Sequence, residues 1–362
     1  MYDYLVVGAG IAGCILAERL ANVSKRILLI DKRNHIGGNC YDEYNQDGIL
    51  IHRYGPHIFH TNSQEIWNYL SSFTDWRHYQ HRVLAYVDGL KVPFPINLDT
   101  LNILQNNSLS VEAMKHYLDI VRNENNIEQI TNSKDMAISL VGQYLYEKFF
   151  KYYTKKQWNL WPEELAAEVV GRIPVRLSRE PRYFTDKYQG IPKYGYTRMF
   201  EKMLDHSQIN ILLNTDYKQI IEDVSFNEII YTGSIDCFFD YVHGRLPYRS
   251  MRFEYETLPI EYFQEVGTVN YPNDYEFTRI TEYKHLTGQK HFMTTISREY
   301  PTAEGDPFYP VPNKTNEEIY HKYQSEAQRL KSVYFVGRLA QYRYFSMDQV
   351  VAEVFRFLKT IR

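Results

Sequence analysis

The chain has 362 residues, 44% hydrophobic and 23% charged, which is the composition of an ordered globular protein with two or three structural units. A formal net charge of −3 argues against broad nucleic-acid binding, which needs a basic face. No apolar run approaches the roughly 18–20 residues of a membrane helix, and Cys14, Cys40 and Cys237 show no metal-binding spacing, so we expect reduced thiols in a cytoplasm.

The segment up to Asp31 predicts a βαβ unit that binds a dinucleotide. A strand at Tyr2–Val7, which we prefer to a signal peptide, runs into a G-x-G-x-x-G turn at 8–13. Helical spacing follows over 11–20, and a buried strand at Ile27–Ile30 ends the unit. The glycines permit a tight turn and close approach of the backbone to a pyrophosphate at the helix N-terminus. The expected cofactor contacts here are Gly8, Gly10, Ala12, Gly13 and Asp31.

The next segment favours FAD over NAD. The run KRNHIGGN at 32–39 resembles the second phosphate-contacting loop of the FAD family that includes the amine oxidases. Its arginine supplies a cation, and its paired glycines allow the backbone to approach closely. We therefore expect FAD, held here by Lys32, Arg33, Gly38 and Asn39.

The rest of the chain predicts two further units and a return to the first. Amphipathic helical spacing runs from 98 to about 170, with connections at Asn106-Asn107 and 123–126. Alternation over 248–255 and 278–283 predicts antiparallel strands, which the stretch 83–95 can join. A buried strand at 333–336 and a closing helix from about 347 to 358 complete the nucleotide-binding unit.

The predicted fold class is therefore α/β, with a discontinuous FAD-binding Rossmann-like domain, an inserted helical domain and an antiparallel β-sheet domain. We assign the first to 1–76, 205–240 and 315–362, the second to 97–177, and the third to 77–96, 178–204 and 241–314.

Five runs resemble signatures of the bacterial UDP-galactopyranose mutases and occur in that family's order. They are IHRYGPHIFHT (51–61), YTKKQW (153–158), RIPVR (172–176), YQGIP (188–192) and GRLAQYRY (337–344). The resemblance implies an isomerase that interconverts UDP-galactopyranose and UDP-galactofuranose on reduced FAD, through an adduct between flavin N5 and the sugar. It also implies a cytoplasmic homodimer that supplies precursors for cell-wall, capsule or lipopolysaccharide biosynthesis.

The resemblance assigns roles to individual residues. Arg176 and Arg279 are expected to hold the diphosphate with forked guanidinium groups, and both are catalytic candidates with His57 and His60, which should lie by the isoalloxazine. Other expected substrate contacts are Phe149, Phe150, Tyr153, Thr154, Trp158, Tyr188, Tyr309 and Tyr344. Other expected flavin contacts are His57 itself, Ile58, Arg338, Met347, Asp348 and Gln349, the last three at a helix N-terminus.

Some details depart from the family or stay open. Ser346 stands where some relatives carry Asp, and His81 stands where close bacterial relatives often carry Asn. We also expect residues 170–182 to form a mobile lid. The alternatives are a flavin amine oxidase or desaturase and a non-enzymatic flavin sensor or UDP-sugar-binding protein. Within the mutase interpretation, galactose and its 2-acetamido analogue remain open.

Overall fold

We describe the protein from a computed structural model, which covers residues 1–125 and 127–361. Residue 126, in the connection expected at 123–126, and residue 362, at the end of the first domain, lie outside the described residues. The strands are β1 (Tyr2–Val7), β2 (Ile27–Ile30), β3 (Asp42–Tyr44), β4 (Leu50–His52), β5 (Phe59–Thr61), β6 (Trp76–His78), β7 (Val83–Val87), β8 (Leu90–Phe94), β9 (Tyr188–Pro192), β10 (Ile209–Leu212), β11 (Phe226–Tyr231), β12 (Tyr248–Leu258), β13 (Thr268–Asn270), β14 (Arg279–Glu282), β15 (Thr294–Thr302), β16 (Tyr309–Pro310) and β17 (Val333–Phe335). The α-helices are α1 (Ile11–Ala21), α2 (Gln64–Ser71), α3 (Leu98–Gln105), α4 (Val111–Asn125), α5 (Ser133–Tyr146), α6 (Tyr152–Trp158), α7 (Glu168–Gly171), α8 (Tyr196–Leu204), α9 (Ile235–Phe238), α10 (Tyr283–Thr287), α11 (Lys314–Ala327) and α12 (Met347–Leu358).

The nucleotide-binding unit is built on a five-stranded parallel sheet in the order β10-β2-β1-β11-β17. Three of its strands come from later parts of the chain, so the predicted discontinuous Rossmann-like architecture is confirmed. Helices α1, α8 and α12 pack together on this sheet around a core that includes Leu20, Phe200 and Val351. The carboxyl ends of the strands, where ligands bind in open α/β sheets, face the rest of the molecule.

A seven-stranded sheet in the order β16-β12-β15-β14-β13-β7-β8 forms the second layer. The stretch 83–95 joins it as β7 and β8, and the predicted strands at 248–255 and 278–283 appear as β12 and β14. Its pairs are antiparallel except that β13 lies parallel to β7. The sheet therefore carries Arg279 on β14 next to Glu299 on β15.

Helices α3 to α7, with a π-helical turn at Glu147–Lys151, form the inserted unit. The insertion begins at a capping box, in which Asn97 Oδ1 accepts the Thr100 N–H at 3.0 Å and Thr100 Oγ1 accepts the Asn97 N–H at 3.0 Å. Its core joins side chains of β7 and β8 to those of α4 and α5, for example Leu118 and Leu145. Helix α4 continues to Asn125 and so occupies most of the connection that we expected at 123–126.

The structure places the segment 178–204 differently from our expectation. Strand β9 pairs with β5 and β6 in a separate three-stranded sheet, and α8 packs on α1 instead of on the antiparallel sheet. The reason is the apolar face of α8, formed by Tyr196, Met199, Phe200, Met203 and Leu204, which repeats at helical spacing and is buried. Within residues 1–125 and 127–361, no helix is long and apolar enough to cross a bilayer.

Candidate functional site

A cavity of about 760 Å³ lies at the carboxyl ends of the parallel strands. Residues that directly follow β1, β2, β11 and β17 line it, and segments 215–218 and 303–308 close its sides. Among the predicted cofactor residues, the cavity wall includes Gly8, Gly10, Ala12, Asp31, Lys32, Arg33, Gly38, Asn39, His57, Arg338 and Met347. The remaining four, Gly13, Ile58, Asp348 and Gln349, do not line it.

The glycines form a cradle that side chains would fill. Gly8 has a φ of +102°, and a Cβ there would lie 2.1 Å from Thr232 Oγ1. A Cβ on Gly13 would lie 1.8 Å from the Gly8 carbonyl oxygen, so Gly13 serves the packing of α1 on the turn instead of the cavity wall. A Cβ on Gly38 would lie 2.7 Å from Gly10 Cα. The two glycine loops are thus in direct backbone contact, which leaves their N–H groups close to any phosphate in the cavity.

Asp31 fixes this cradle. Its Oδ2 accepts the Ala9 N–H at 2.7 Å, and its Oδ1 accepts the Arg33 N–H at 2.9 Å. A carboxylate oxygen accepts more than one hydrogen bond, so the group can still receive a ribose hydroxyl.

Arg33 holds the wall of the cavity instead of extending freely toward a phosphate. Its Nη1 donates to Asn39 Oδ1 at 3.0 Å, its Nη2 donates to Asp306 Oδ2 at 2.8 Å, and its guanidinium lies 4.5 Å from the Tyr54 ring centroid. Burial raises the pKa of Asp306, but Arg33 and Lys32 outweigh burial and the pKa lies below its ordinary value. The ion pair therefore ties the loop at 32–39 to the segment at 303–308.

His57 and Arg338 mark the other end of the cavity. His57 Nδ1 donates to the Gly55 carbonyl at 2.8 Å, and the His57 backbone N–H donates to Nδ1 of His52 at 3.0 Å. Burial lowers the pKa of His57 to about 3, so the ring is neutral at physiological pH. The first turn of α12 begins nearby: Ser346 is its N-cap, Gln349 Oε1 accepts the Ser346 N–H at 2.9 Å, and Asp348 also accepts within this turn.

Beyond Arg338 lies a group of side chains that we call the arginine–tyrosine cluster. Its members are Tyr153, Trp158, Arg172, Arg279, Tyr309, Arg338 and Tyr344. Tyr309 and Tyr344 stack with their ring centroids 5.2 Å apart, and Trp158 lies 6.4 and 6.3 Å from them. The Arg338 guanidinium is 5.7 and 5.6 Å from the same two ring centroids. Arg338 therefore lines the cavity and also belongs to the cluster.

The cluster has a surplus of positive charge. Arg172 lies 3.9 Å from the Tyr344 ring centroid, and Arg279 Nη2 donates to the Tyr153 hydroxyl at 2.9 Å. Partial burial raises the pKa of the Tyr344 phenol, but Arg172 and Arg338 outweigh burial and lower it. The cluster contains three guanidinium groups, and that of Arg279 pairs with a buried carboxylate, because Glu299 Oε2 lies 3.3 Å from Arg279 Nε. Such a site suits a ligand with several negative charges.

Five of the predicted substrate contacts lie outside the cluster. The Arg176 guanidinium donates to the carbonyls of Glu180 at 3.3 Å, of Tyr183 at 3.0 Å and of Arg182, all in its own loop. Tyr188, on β9 of the three-stranded sheet, stacks on Trp67 of α2 at 5.2 Å and donates to Gln64 of the same helix.

Phe149 and Phe150 are buried beside Phe94 in the core of the inserted unit. Thr154 is buried on α6, directly after Tyr153 in the chain.

Two further histidines, His60 and His81, have contacts of their own. His60 stacks on Phe184 at 3.7 Å, with its Nδ1 2.9 Å from Asp186 Oδ2. His81 is 5% exposed, and its Nδ1 lies 3.1 Å from the Tyr79 hydroxyl. Burial lowers the pKa of His81 to about 3.

Sequence reasoning missed Arg172, Tyr183 and Glu299. Arg172 opens the RIPVR run that we quoted for Arg176, so that motif contained the signal. Burial raises the pKa of the Tyr183 phenol, and the charges of Arg172 and Arg279 oppose this, so Tyr183 is a candidate for the role expected of Tyr188. No local feature of the sequence separates these two tyrosines.

The cavity and the parallel sheet define a protein with a Rossmann-like nucleotide-binding domain, and the arginine–tyrosine cluster adjoins that domain at Arg338. A family model described as NAD(P)-binding Rossmann-like domain matches residues 6–73, and one described as UDP-galactopyranose mutase matches residues 148–344. The chain belongs to the UDP-galactopyranose mutase family and is an isomerase of that family.

Individual relatives agree with this assignment. A probable UDP-galactopyranose mutase of Klebsiella pneumoniae is 37% identical, with 98% of this chain and 93% of the relative covered. A dTDP-fucopyranose mutase of Escherichia coli is 35% identical over 98% of this chain and 96% of its own length. The crystal structure of a reduced UDP-galactopyranose mutase shares the fold with a TM-score of 0.78 at 16% identity, covering 99% of this chain and 96% of the other.

Proposed function

We propose that the protein interconverts UDP-galactopyranose and UDP-galactofuranose with reduced FAD bound in the cavity. The observation that carries the proposal is the position of Arg338. It borders the nucleotide cavity and lies 5.7 and 5.6 Å from the ring centroids of Tyr309 and Tyr344, so a cofactor and a sugar diphosphate would meet there.

The cavity residues fit FAD. The two glycine loops pack so closely that a Cβ on Gly8, Gly13 or Gly38 would disrupt the turn that presents backbone N–H groups to a pyrophosphate, and Asp31 has acceptor capacity left for a ribose hydroxyl. When bound, reduced flavin supplies the nucleophilic nitrogen N5 for the anomeric carbon of the sugar. Neutral His57, held by the Gly55 carbonyl, would lie against the flavin ring without adding charge.

The protein's own contribution is to bind and stabilise the diphosphate. Arg279, Arg172 and Arg338 would contact its oxygens, and the phenols of Tyr309 and Tyr344 would donate to them. These donors would hold UDP both when it is attached to the sugar and when it carries the extra charge of a leaving group. Arg279 keeps its orientation through Tyr153 and Glu299.

We further propose that residues 170–182 close over the substrate and bring Arg176 to the diphosphate. In the structure this arginine is bonded to carbonyls of its own loop, an arrangement that a diphosphate could replace. Protection of this loop from proteolysis by UDP would support closure, and equal cleavage with and without UDP would contradict it.

Cellular context follows from the family resemblance. We propose that the enzyme is a cytoplasmic homodimer and that its product is a precursor of a cell-surface polysaccharide. Size-exclusion chromatography with light scattering tests the dimer.

A second candidate substrate is dTDP-fucopyranose. The observation that favours it is the dTDP-fucopyranose mutase relative, whose 35% identity over nearly the whole chain is close to the 37% of the probable UDP-galactopyranose mutase. Both substrates present a nucleoside diphosphate to the same arginines.

The decisive experiment is a chromatographic assay with UDP-galactofuranose, with and without dithionite. Conversion to UDP-galactopyranose only after the flavin is reduced would support the proposal. UDP-N-acetylgalactofuranose and dTDP-fucofuranose, run in parallel, identify the preferred sugar and nucleoside. Oxidised product with oxygen consumption would favour an amine oxidase or desaturase, and the absence of turnover on all three substrates would favour a flavin sensor or binding protein.

A further inference from the structure

Lys156 is surrounded by backbone carbonyls of one loop. It lies on α6, one helical turn after Tyr153, and its Nζ is 3.2 Å from the Asp274 oxygen and 3.3 Å from those of Tyr275 and Phe277. The carbonyl of Tyr271 also accepts from it. An ammonium offers three N–H donors, and here all of them point at the segment 271–277.

This segment connects β13 to β14 and depends on outside groups for its conformation. The Tyr271 N–H donates to the Thr278 carbonyl at 2.8 Å and closes the loop. Asn273 Nδ2 donates to the Lys148 carbonyl at 3.0 Å, a second link to the same helical region. Four backbone carbonyls of this largely exposed loop converge on one ammonium, which links them through charge-assisted hydrogen bonds.

The loop leads directly into the arginine–tyrosine cluster. Phe277 is separated from Arg279 by one residue, and the Arg279 side chain donates to Tyr153 on α6. Helix α6 therefore contacts the Arg279 guanidinium through Tyr153 and, through Lys156, the Phe277 carbonyl two residues before Arg279.

We propose that Lys156 is a positioning residue for the diphosphate site, fixing the loop 271–277 on α6 so that Arg279 reaches the diphosphate. The inference rests on the proposed function, in which Arg279 binds that group. Lys156 does not line the nucleotide cavity, so its effect falls on the nucleotide sugar and not on FAD.

Burial makes the charge of Lys156 costly, which agrees with a role for that charge in holding the loop. It lowers the pKa of the Lys156 ammonium from 10.5 to about 8, so the site disfavours the charge that the loop carbonyls bind. The neighbouring Lys155 donates to the Asn159 carbonyl at the end of its own helix and lies 5.1 Å from the Trp161 ring centroid, away from the loop 271–277 in these contacts, so it serves as a matched control.

The test compares K156A, K156R and K155A by titration of the FAD-loaded protein with UDP. We expect K156A to weaken UDP binding about tenfold or more, with bound FAD unchanged, and K155A to stay within about twofold. K156R should restore most of the affinity, because a guanidinium also donates to several carbonyls. Ethylammonium should rescue K156A, whereas tetramethylammonium, which has no N–H, should not.

The outcomes separate this inference from the proposed function. If R279A binds UDP like the wild type, the proposed diphosphate site is wrong. If R279A loses binding while K156A stays within about twofold of the wild type, the positioning role alone is overturned. A loss in K156A that ethylammonium does not repair also overturns it. If K156A does not retain FAD, K156Q replaces it: unchanged UDP affinity contradicts the proposal, and weakened affinity with normal FAD content supports it.

Discussion

The nucleotide cavity and the arginine–tyrosine cluster meet at Arg338, but they are made of different parts of the chain. The cavity is lined largely by backbone at the ends of parallel strands, and Gly8, Gly13 and Gly38 set its shape. The cluster is made of side chains from five parts of the chain. They are helix α6, strand β14, strand β16, the residue that follows α7 and the segment that follows β17. Where backbone lines a site closely, as in the cavity, even one added methyl group disrupts it. Where side chains form the site, as in the cluster, each substitution removes the contacts of one side chain.

This difference predicts that a single methyl group has its largest effect in the cavity. In Gly13→Ala the new Cβ would lie 1.8 Å from the Gly8 carbonyl oxygen, so the turn and α1 must separate. We expect loss of bound flavin and a decrease of about 3 kcal/mol in the free energy of unfolding. Flavin absorbance of the purified protein and urea unfolding measure both. The control is Gly48→Ala, which has a φ of +77° but no atom within 4 Å of the new Cβ. Normal flavin content in Gly13→Ala would contradict the cradle.

In the cluster, the largest expected loss comes from Arg279→Met. Removal of the guanidinium takes a donor from the diphosphate and leaves Glu299 buried without its cation, so kcat/KM should fall about 100-fold. Steady-state kinetics with UDP-galactofuranose measures the change. Arg298→Met is the matched control on the adjacent strand, since Arg298 pairs with Glu256 at the surface at 2.8 Å. Equal kinetics in the two variants would remove Arg279 from the site.

We expect acid to lower the free energy of unfolding through His81. Its pKa is about 3 in the folded protein and about 6.5 when exposed. Below pH 6.5 the unfolded state therefore binds a proton that the folded state excludes, and stability falls as the pH decreases toward 3. By pH 5 the contribution is about 2 kcal/mol. Urea unfolding at pH 7.5 and pH 5 should show that this part of the decrease disappears in His81→Asn. If the wild type and His81→Asn lose the same stability between the two pH values, the folded state also protonates His81 and the prediction is wrong.

The smallest predicted effect distinguishes two tyrosines. The charges of Arg172 and Arg279 act on the pKa of the Tyr183 phenol, whereas Tyr188 stacks on Trp67. We expect Tyr183→Phe to weaken UDP binding about tenfold and Tyr188→Phe to change it by about twofold or less. Isothermal titration with UDP decides between them. The reverse order would support the original assignment of Tyr188 from the YQGIP run.

Much of the architecture was predictable from sequence because its signals are local. The turn at 8–13 requires φ values that glycine adopts readily, and the alternation at 248–255 repeats with the period of a strand. The placement of α8 was not predictable in this way. Its apolar face is visible in the sequence, but that face fits either layer, and only packing against α1 selects one.

The sequence alone determined the fold class, the family and the residue types available for a diphosphate, since each depends on neighbouring residues in fixed order. The tertiary structure decided which of them meet. Arg279 contacts Tyr153, 126 positions away, and Lys156 binds a loop more than 100 positions further along the chain. Such contacts depend on how whole elements pack, because the energy that selects them is shared among many side chains and is not carried by the residues that touch.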